Sequence, residues 1–405
     1  MSGLWSLICF EYKKILKKRS VRITLLAAVL ISFISVPGTL FGSTYIDGKP
    51  YESNYDAMLK DRNYARAFNG EKINSELILK AVKGYSKISE SDKYQEKGDY
   101  QQFARPYSAI YGIIRTVFNM ESRRFNMEDF QQLTSKEAEQ FYNMRREKLV
   151  QIVETTVMSK KSKEQVLELD TRINTPLSFS YTDGYTRFFV ILYSIGLTAA
   201  LAMAICIAPL FSGEYTSGTD QLILSSRYGK NKLIKAKLLT GFSLSALICL
   251  ILIFLAYLLS MLIFGADGRG APLQLYVILS PYPITMGQAA GFLALCTLFS
   301  CLMTAALTML LSAKLKTPFG VIILISLLLI VPMFINVPET SVILYKLSSL
   351  LPINMMAFGT VLDGIQFELF GLIIKPYVFM PLFALVISSL VIPFTFHSFK
   401  SHQIE

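Results

Sequence analysis

Six stretches of this chain run for about 20 residues or more without Asp, Glu, Lys or Arg: 23–44, 188–211, 238–266, 283–313, 318–338 and 376–399. A helix rises about 1.5 Å per residue, so each stretch is long enough to cross a hydrocarbon core of roughly 30 Å. Inside lipid the backbone must satisfy its own hydrogen bonds, which leaves the helix as the natural form for such a run. The expected fold class is therefore an all-α integral membrane protein with six transmembrane helices. Composition agrees, since 52% of the residues are hydrophobic and only 17% are charged, outside the range of ordinary soluble domains.

The first run follows Lys13, Lys14, Lys17, Lys18 and Arg19. A secretory leader has an apolar core of only about 7–15 residues, so this longer run reads as an uncleaved anchor. Lys and Arg are retained on the cytoplasmic side of a membrane. Residues 1–22 carry six cations and one Glu, residues 212–237 carry five cations against Glu214 and Asp220, and the turn 314–317 carries Lys314 and Lys316 with no acid. Those three segments are expected inside, with both termini. The loops with Asp267 and Arg269, and with Glu339, Lys346, Asp363, Glu368 and Lys375, are nearly balanced and are expected outside. The net charge of +11 thus reflects topology and anionic lipid and calls for no nucleic acid.

All five cysteines, Cys9, Cys206, Cys249, Cys296 and Cys301, fall in the amino-terminal segment or in the apolar runs. The polar insert 45–187 accordingly has no disulfide framework. It also lacks any Asn-x-Ser/Thr acceptor, in keeping with a bacterial cell membrane.

In segment 1–22, Leu4, Trp5, Ile8, Tyr12, Ile15 and Leu16 fall on one arc at 100° per residue, with Lys13, Lys14, Lys17 and Lys18 opposite; Leu7 and Phe10 depart from it. This pattern predicts an interfacial amphipathic helix, Trp5 in the apolar layer and the lysines near lipid phosphates. The insert 45–187 is large enough to be a domain with its own core, and its pattern is helical. Thr134 to Glu137 forms a capping-box pattern, and Ser162 to Gln165 a second, opening a helix that should stop before Pro176. The last outer loop, 339–375, is rich in apolar residues around Leu350, Pro352, Met355 and Met356, and is expected to be a helical hairpin re-entering the membrane edge.

Several chemistries find no residues to carry them. The six runs hold no intramembrane carboxylate or Lys to bind a coupling ion. No Gly-x-x-x-x-Gly-Lys-Ser/Thr loop is present to cradle nucleotide phosphates, and two His in all leave little for zinc. No enzymatic centre is expected, and no cofactor bound by this chain.

The informative loop lies between the second and third runs, FSGEYTSGTDQLILSSRYGKNKLIKAK. Glu214 stands at the membrane boundary, where an unpaired charge is costly. Thr216, Ser217 and Thr219 offer capping hydroxyls to a short helix through Asp220 to Ser226, whose Leu222, Ile223 and Leu224 form an apolar tip. A brief helix with an apolar tip is suited to a groove on another protein. This loop resembles that of ABC transporter permeases of the ABC-2 type, through Glu214, Gly218, Thr219, Leu222, Leu224, Ser225, Ser226, Gly229 and Lys230. It departs at Arg227-Tyr228, where the family often has Pro. The amphipathic amino-terminal helix, the outer domain after the first span and the hairpin 339–375 extend the resemblance along the chain.

The resemblance implies a permease subunit of an ATP-driven exporter. Two six-span subunits, the same or related, would face each other over two copies of a separate ATP-binding subunit, where ATP and Mg would be held. Glu214, Gly218 and Thr219 would place a coupling helix, Leu222 and Leu224 would fill the ATPase groove, and the outer hairpin would gate the exit. Uncharged spans and a large outer domain suggest an amphipathic or lipophilic cargo such as an antimicrobial peptide. The rival reading is a membrane-anchored sensor or scaffold whose outer domain binds a ligand, and the two differ in whether an ATPase accompanies the chain.

Overall fold

The computed structural model describes residues 2–46, 49–88, 98–119, 133–226, 229–335, 337–338, 340–362 and 364–401. Helix dominates them. Four helices are long and apolar enough to cross a membrane: Asp183–Leu210, Asn231–Phe264, Met286–Lys314 and Pro376–Lys400. Two further apolar helices are shorter. Arg19–Ser35 has 17 residues and stops just before Pro37, so the remainder of the run 23–44 is turn and the start of a strand, Ser43–Ile46. Pro318–Ile330 is carried on to Phe334 by a 3-10 turn holding Pro332, since proline removes a helical donor.

The chain divides into two compact units. The first comprises Met1–Ser35, Phe189–Leu258 and Gly291–Glu405, the second Val36–Phe188 and Leu259–Ala290.

In the second unit, helix Ser75–Ser86 buries Leu77, Ile78, Ala81, Val82 and Tyr85, and helix Ser108–Phe118 buries Ile110, Ile113, Ile114, Val117 and Phe118. Both sets recur at helical spacing, and the two faces meet in one core with Phe141, Leu177, Phe179 and Ile278. Ile278 is an addition that the sequence pattern did not offer: the loop beyond helix Ile234–Phe264 belongs to this unit. Arg145, 3% exposed, fixes it there, donating to the carbonyls of Ile278 (2.7 Å) and Ser280 (3.2 Å) while pairing with Asp170 at 2.8 Å. A buried guanidinium is tolerable only with such a full set of acceptors.

The capping box at Thr134 and Glu137 forms, with both reciprocal hydrogen bonds present. The expected second box does not, because helix Lys160–Thr171 starts two residues before it. Ser159 is its cap and accepts from the Ser162 amide, which leaves Ser162 inside the helix. That helix ends ahead of Pro176, as anticipated. A two-stranded antiparallel hairpin, Ser43–Ile46 with Lys49–Ser53, opens the unit.

In the first unit, helix Met286–Lys314 buries a file of hydroxyls, Thr297, Ser300, Thr304, Thr308 and Ser312, all at 0% exposure. Segment 339–375 departs from the expected helical hairpin. Its described residues hold helix Val342–Ser349, a 3-10 turn at Asn354–Met356, a single-turn helix Phe358–Val361, and then a β-hairpin, Phe367–Leu369 with Leu372–Ile374. The alternation Phe-Glu-Leu ahead of Phe370-Gly371 has period two, and it is the local reason for strand there.

Candidate functional site

The loop after the second span is built by interruptions of helix. Helix Asp183–Ile207 gives way at Pro209 to a 3-10 turn, Ala208–Leu210, and the chain restarts as Ser212–Ser217. Ser312 holds this break together. Its hydroxyl donates to the Ala208 carbonyl at 2.5 Å and accepts from the amides of Phe211 (3.0 Å) and Ser212 (3.1 Å), groups that a broken helix would otherwise leave unpaired. Ser312→Ala is expected to lower the stability of the purified protein by about 1–3 kcal/mol, measured as thermal unfolding in detergent.

Gly218 ends helix Ser212–Ser217 at φ +65°, and its amide closes on the carbonyls of Glu214 and Tyr215, a left-handed cap that glycine adopts without strain. Helix Asp220–Ser225 follows. Its preceding residue, Thr219, makes no side-chain cap; instead its hydroxyl donates to the Glu214 carboxylate at 2.6 Å. The expected capping by Thr216 and Ser217 is likewise replaced by bonds back to Ser212 and Gly213 carbonyls. Ser225 and Ser226 return their hydroxyls to the carbonyls of Leu222 and Ile223, closing the short helix. At Gly229 the chain passes so near the Ile223 carbonyl that a Cβ would lie 1.6 Å from its oxygen; only glycine fits. Leu222 is 74% exposed at the tip. The side chains of Leu224 and Lys230, and Arg227-Tyr228, lie outside the described residues.

Glu214 is 2% exposed and does not stand at the boundary as a solvated cap. It accepts from Lys237 at 2.6 Å, from Lys14 and from Thr219. Lys237 is fully buried, and its ammonium also meets Glu11 at 3.1 Å and the Leu210 carbonyl at 2.9 Å. Two carboxylates and two ammonium groups thus form a compact, formally neutral cluster that ties the amino-terminal helix, the loop and the start of helix Ile234–Phe264 together. Burial alone would raise the Glu214 carboxyl; the Lys237 charge and the bonds from Lys14, Lys237 and Thr219 outweigh it and hold the group at about 2. Lys18 lies beside the cluster and is shifted down by burial and by the nearby Lys14 and Lys237 charges.

The amino-terminal helix, Ser2–Leu16, packs one face against the rest of the first unit. Glu11 and Ile15 are buried and Lys14 and Lys18 half-buried, while Trp5 (69%) and Phe10 (60%) are exposed beside Lys13 and Lys17. Of the four lysines, Lys13 and Lys17 remain outward.

The residues expected at the outer gate are brought inward: Pro352, Met355 and Met356 are buried, and Leu350 half-buried. Ser300 donates to the Pro352 carbonyl at 2.5 Å. Met356 packs so close to Gly196 that a Cβ there would sit 2.7 Å from its sulfur.

Sequence reasoning missed three members of this constellation: Glu11, Lys237 and Ser312. The signals were weak but present. Glu11 is the only acid in the first 22 residues, and Lys237 directly abuts an uncharged run.

Long apolar helices, with a broken-helix loop locked by buried charge between two of them and an exposed apolar tip beyond it, define a multi-span membrane protein. The chain matches the family described as ABC-2 family transporter protein over residues 19–355, and it belongs to that family. It is an ABC transporter permease, the transmembrane component of a transporter and not its catalytic part. Neither the curated proteins nor the solved structures gave a match.

Proposed function

We propose that this permease forms the translocation path of an ATP-driven exporter in a bacterial cell membrane. Its six apolar segments span, counting Arg19–Ser35 and Pro318–Phe334 with the four longer helices. Loop 212–237 and both termini lie in the cytoplasm, and residues 45–187 lie outside together with 265–285. Two copies of a separate ATP-binding subunit, which bind ATP and Mg, dock on the loops of two permease subunits, the same or related.

The observation that carries this reading is the contrast within one short loop: Glu214 is locked by three partners, whereas Leu222, eight residues on, is left exposed. A rigid base with an apolar tip transmits displacement of a docked partner to the helices behind it, since the base cannot yield independently. The Glu214 cluster engages the amino-terminal helix and the start of helix Ile234–Phe264, and Ser312 engages the fourth long run, so a push on the tip reaches three elements. Cargo of amphipathic or lipophilic kind, such as an antimicrobial peptide, suits spans with few charges.

The deciding experiment is copurification from native membranes: an ATP-binding protein should come with the chain, and the chain alone, with no such partner under mild detergent, would remove the exporter reading. For orientation, a single Cys replacing Lys160, an exposed residue of the large insert, should react with an impermeant thiol reagent in intact cells. A Cys replacing Lys232 should react only after lysis. Labelling in the reverse order would overturn the assigned sides.

A further inference from the structure

The segment between helix Pro318–Ile330 and helix Pro376–Lys400 exposes large apolar side chains outside the long apolar helices. In helix Val342–Ser349, Ile343 (76%), Leu344 (60%) and Leu347 (60%) are exposed, and in the β-hairpin Leu369 (45%), Phe370 (96%) and Leu372 (66%) are exposed. The other face of the same segment is packed: Ser349, Met355, Met356, Val361 and Phe367 are buried. Scattered surface leucines would need no explanation, but six large exposed apolar side chains within one 30-residue segment do.

The turn adds a sharper observation. Leu369 pairs with Leu372, so Phe370 and Gly371 form a two-residue loop, with φ +50° and +78°. A loop with both central residues at positive φ favours Asn-Gly or Asp-Gly, because those residues tolerate the left-handed region and are soluble at a tip. Here the first position is phenylalanine, the one described non-glycine residue with positive φ. In water this choice is unfavourable twice over, in backbone and in solvation. Its presence at the most exposed point of the hairpin points to a tip that does not face water.

Position in the fold names the occupant. The segment is joined to helix Pro318–Ile330 at one end, and strand Leu372–Ile374 is followed after one residue by helix Pro376–Lys400. Phe367, at the base of the hairpin, stacks on Phe379 in the first turn of that helix at 4.3 Å. A three-residue strand reaches only about 10 Å, so Phe370 stays near the level at which the helix enters the bilayer. At its other end the helix places Phe399 against Phe211 and Tyr215 of the loop described above, so the hairpin belongs to the opposite leaflet. The charged residues in the described part of the segment, Lys346, Glu368 and Lys375, suit a headgroup layer, with Lys375 lying 5.7 Å from the Tyr377 ring. Aromatic and long cationic side chains at that depth are the usual membrane-interface anchors.

We infer that the hairpin tip at Phe370 and the outward face of helix Val342–Ser349 are inserted into the interfacial layer of the bilayer leaflet opposite the Glu214 loop, and anchor segment 339–375 to lipid. Its buried Met355 and Met356 would then be held against the helices by the membrane on the far side. This inference needs only that the apolar helices span the membrane, and it stands whether or not an ATPase docks on the loop.

Trp5 is the chain's single tryptophan, so Trp5→Phe combined with Phe370→Trp gives a probe at the tip in the full-length protein. Reconstituted into phosphatidylcholine vesicles, its emission should be blue-shifted. Lipid brominated high on the acyl chain should quench it at least twofold, and aqueous iodide should have little effect. Red-shifted emission quenched by iodide and not by brominated lipid would overturn the inference. Emission shielded from both quenchers would overturn it too, since protein would then cover the tip. Ile343→Trp in the same background repeats the measurement on the helix, should the turn variant fail to fold, and must give the same lipid quenching.

Discussion

Replacing Lys237 with methionine is expected to be among the most destabilising single changes in the first unit. The ammonium lies between Glu11 and Glu214 and is fully buried with both of them. Methionine fills a similar volume but leaves two carboxylates out of water, with Lys14 as the close partner of one. Breaking a buried ion pair by removing one partner costs about 3–5 kcal/mol, and thermal unfolding of the detergent-purified protein should register it. The triple variant Glu11→Gln, Glu214→Gln, Lys237→Met removes the charge conflict and should regain most of that stability, because replacing a whole buried cluster by neutral groups of like volume is often close to neutral. If Lys237→Met melts like the parent protein, the cluster is not a clamp. Acid titration gives the same test with a defined sign. The Glu214 carboxyl is held at about 2, below its ordinary 4.5, so its contribution is complete above about pH 4.5 and is lost as pH falls towards 2. Stability of the loop should therefore be flat through neutral pH and fall only in strong acid.

The parts legible in sequence were those set by local pattern. Uncharged length marked the long apolar helices, and Thr134 with Glu137 their capping box. What escaped was set by distant partners. Lys237 meets a carboxylate 226 positions earlier, and nothing in the periodicity of either segment announces the other. The same contact sets which face of the amino-terminal helix meets protein, with Glu11 and Ile15 buried and Lys14 half-buried. Hydropathy could not reveal this, because it scores Glu11 and Lys14 as solvent-seeking whether or not they hold each other's partners. Pro37 truncated the first apolar helix at Ser35 although no charge interrupts the run, for a proline limits a helix as firmly as a charge limits a hydropathy window. The loop of Asp267 and Arg269 read only as an outer loop between two runs, yet Arg145 and Ile278 draw the chain there into the core of the insert.

Leu222→Asp is expected to abolish copurification of the ATP-binding subunit while the permease still folds and inserts. Leu222 is exposed and makes no part of the Glu214 cluster, so the change removes nothing that supports the chain's own fold; surface substitutions of this kind usually move stability by less than about 0.5 kcal/mol. At a docked tip the same residue would be desolvated. An unpaired carboxylate in an apolar groove costs several kcal/mol, and about 2.7 kcal/mol already weakens an interface a hundredfold. Glu214→Ala should act differently: it leaves the tip intact but frees Lys14, Lys237 and Thr219 together, so the base of the loop loosens. The ATPase should still bind, more weakly, with hydrolysis no longer tied to transport. The two variants thus separate docking area from rigidity, the first lost through Leu222 and the second through Glu214. An ATPase that binds and drives transport equally in both would mean that this loop is a connector, and that the contact joining the permease to its energy source lies elsewhere on the cytoplasmic face.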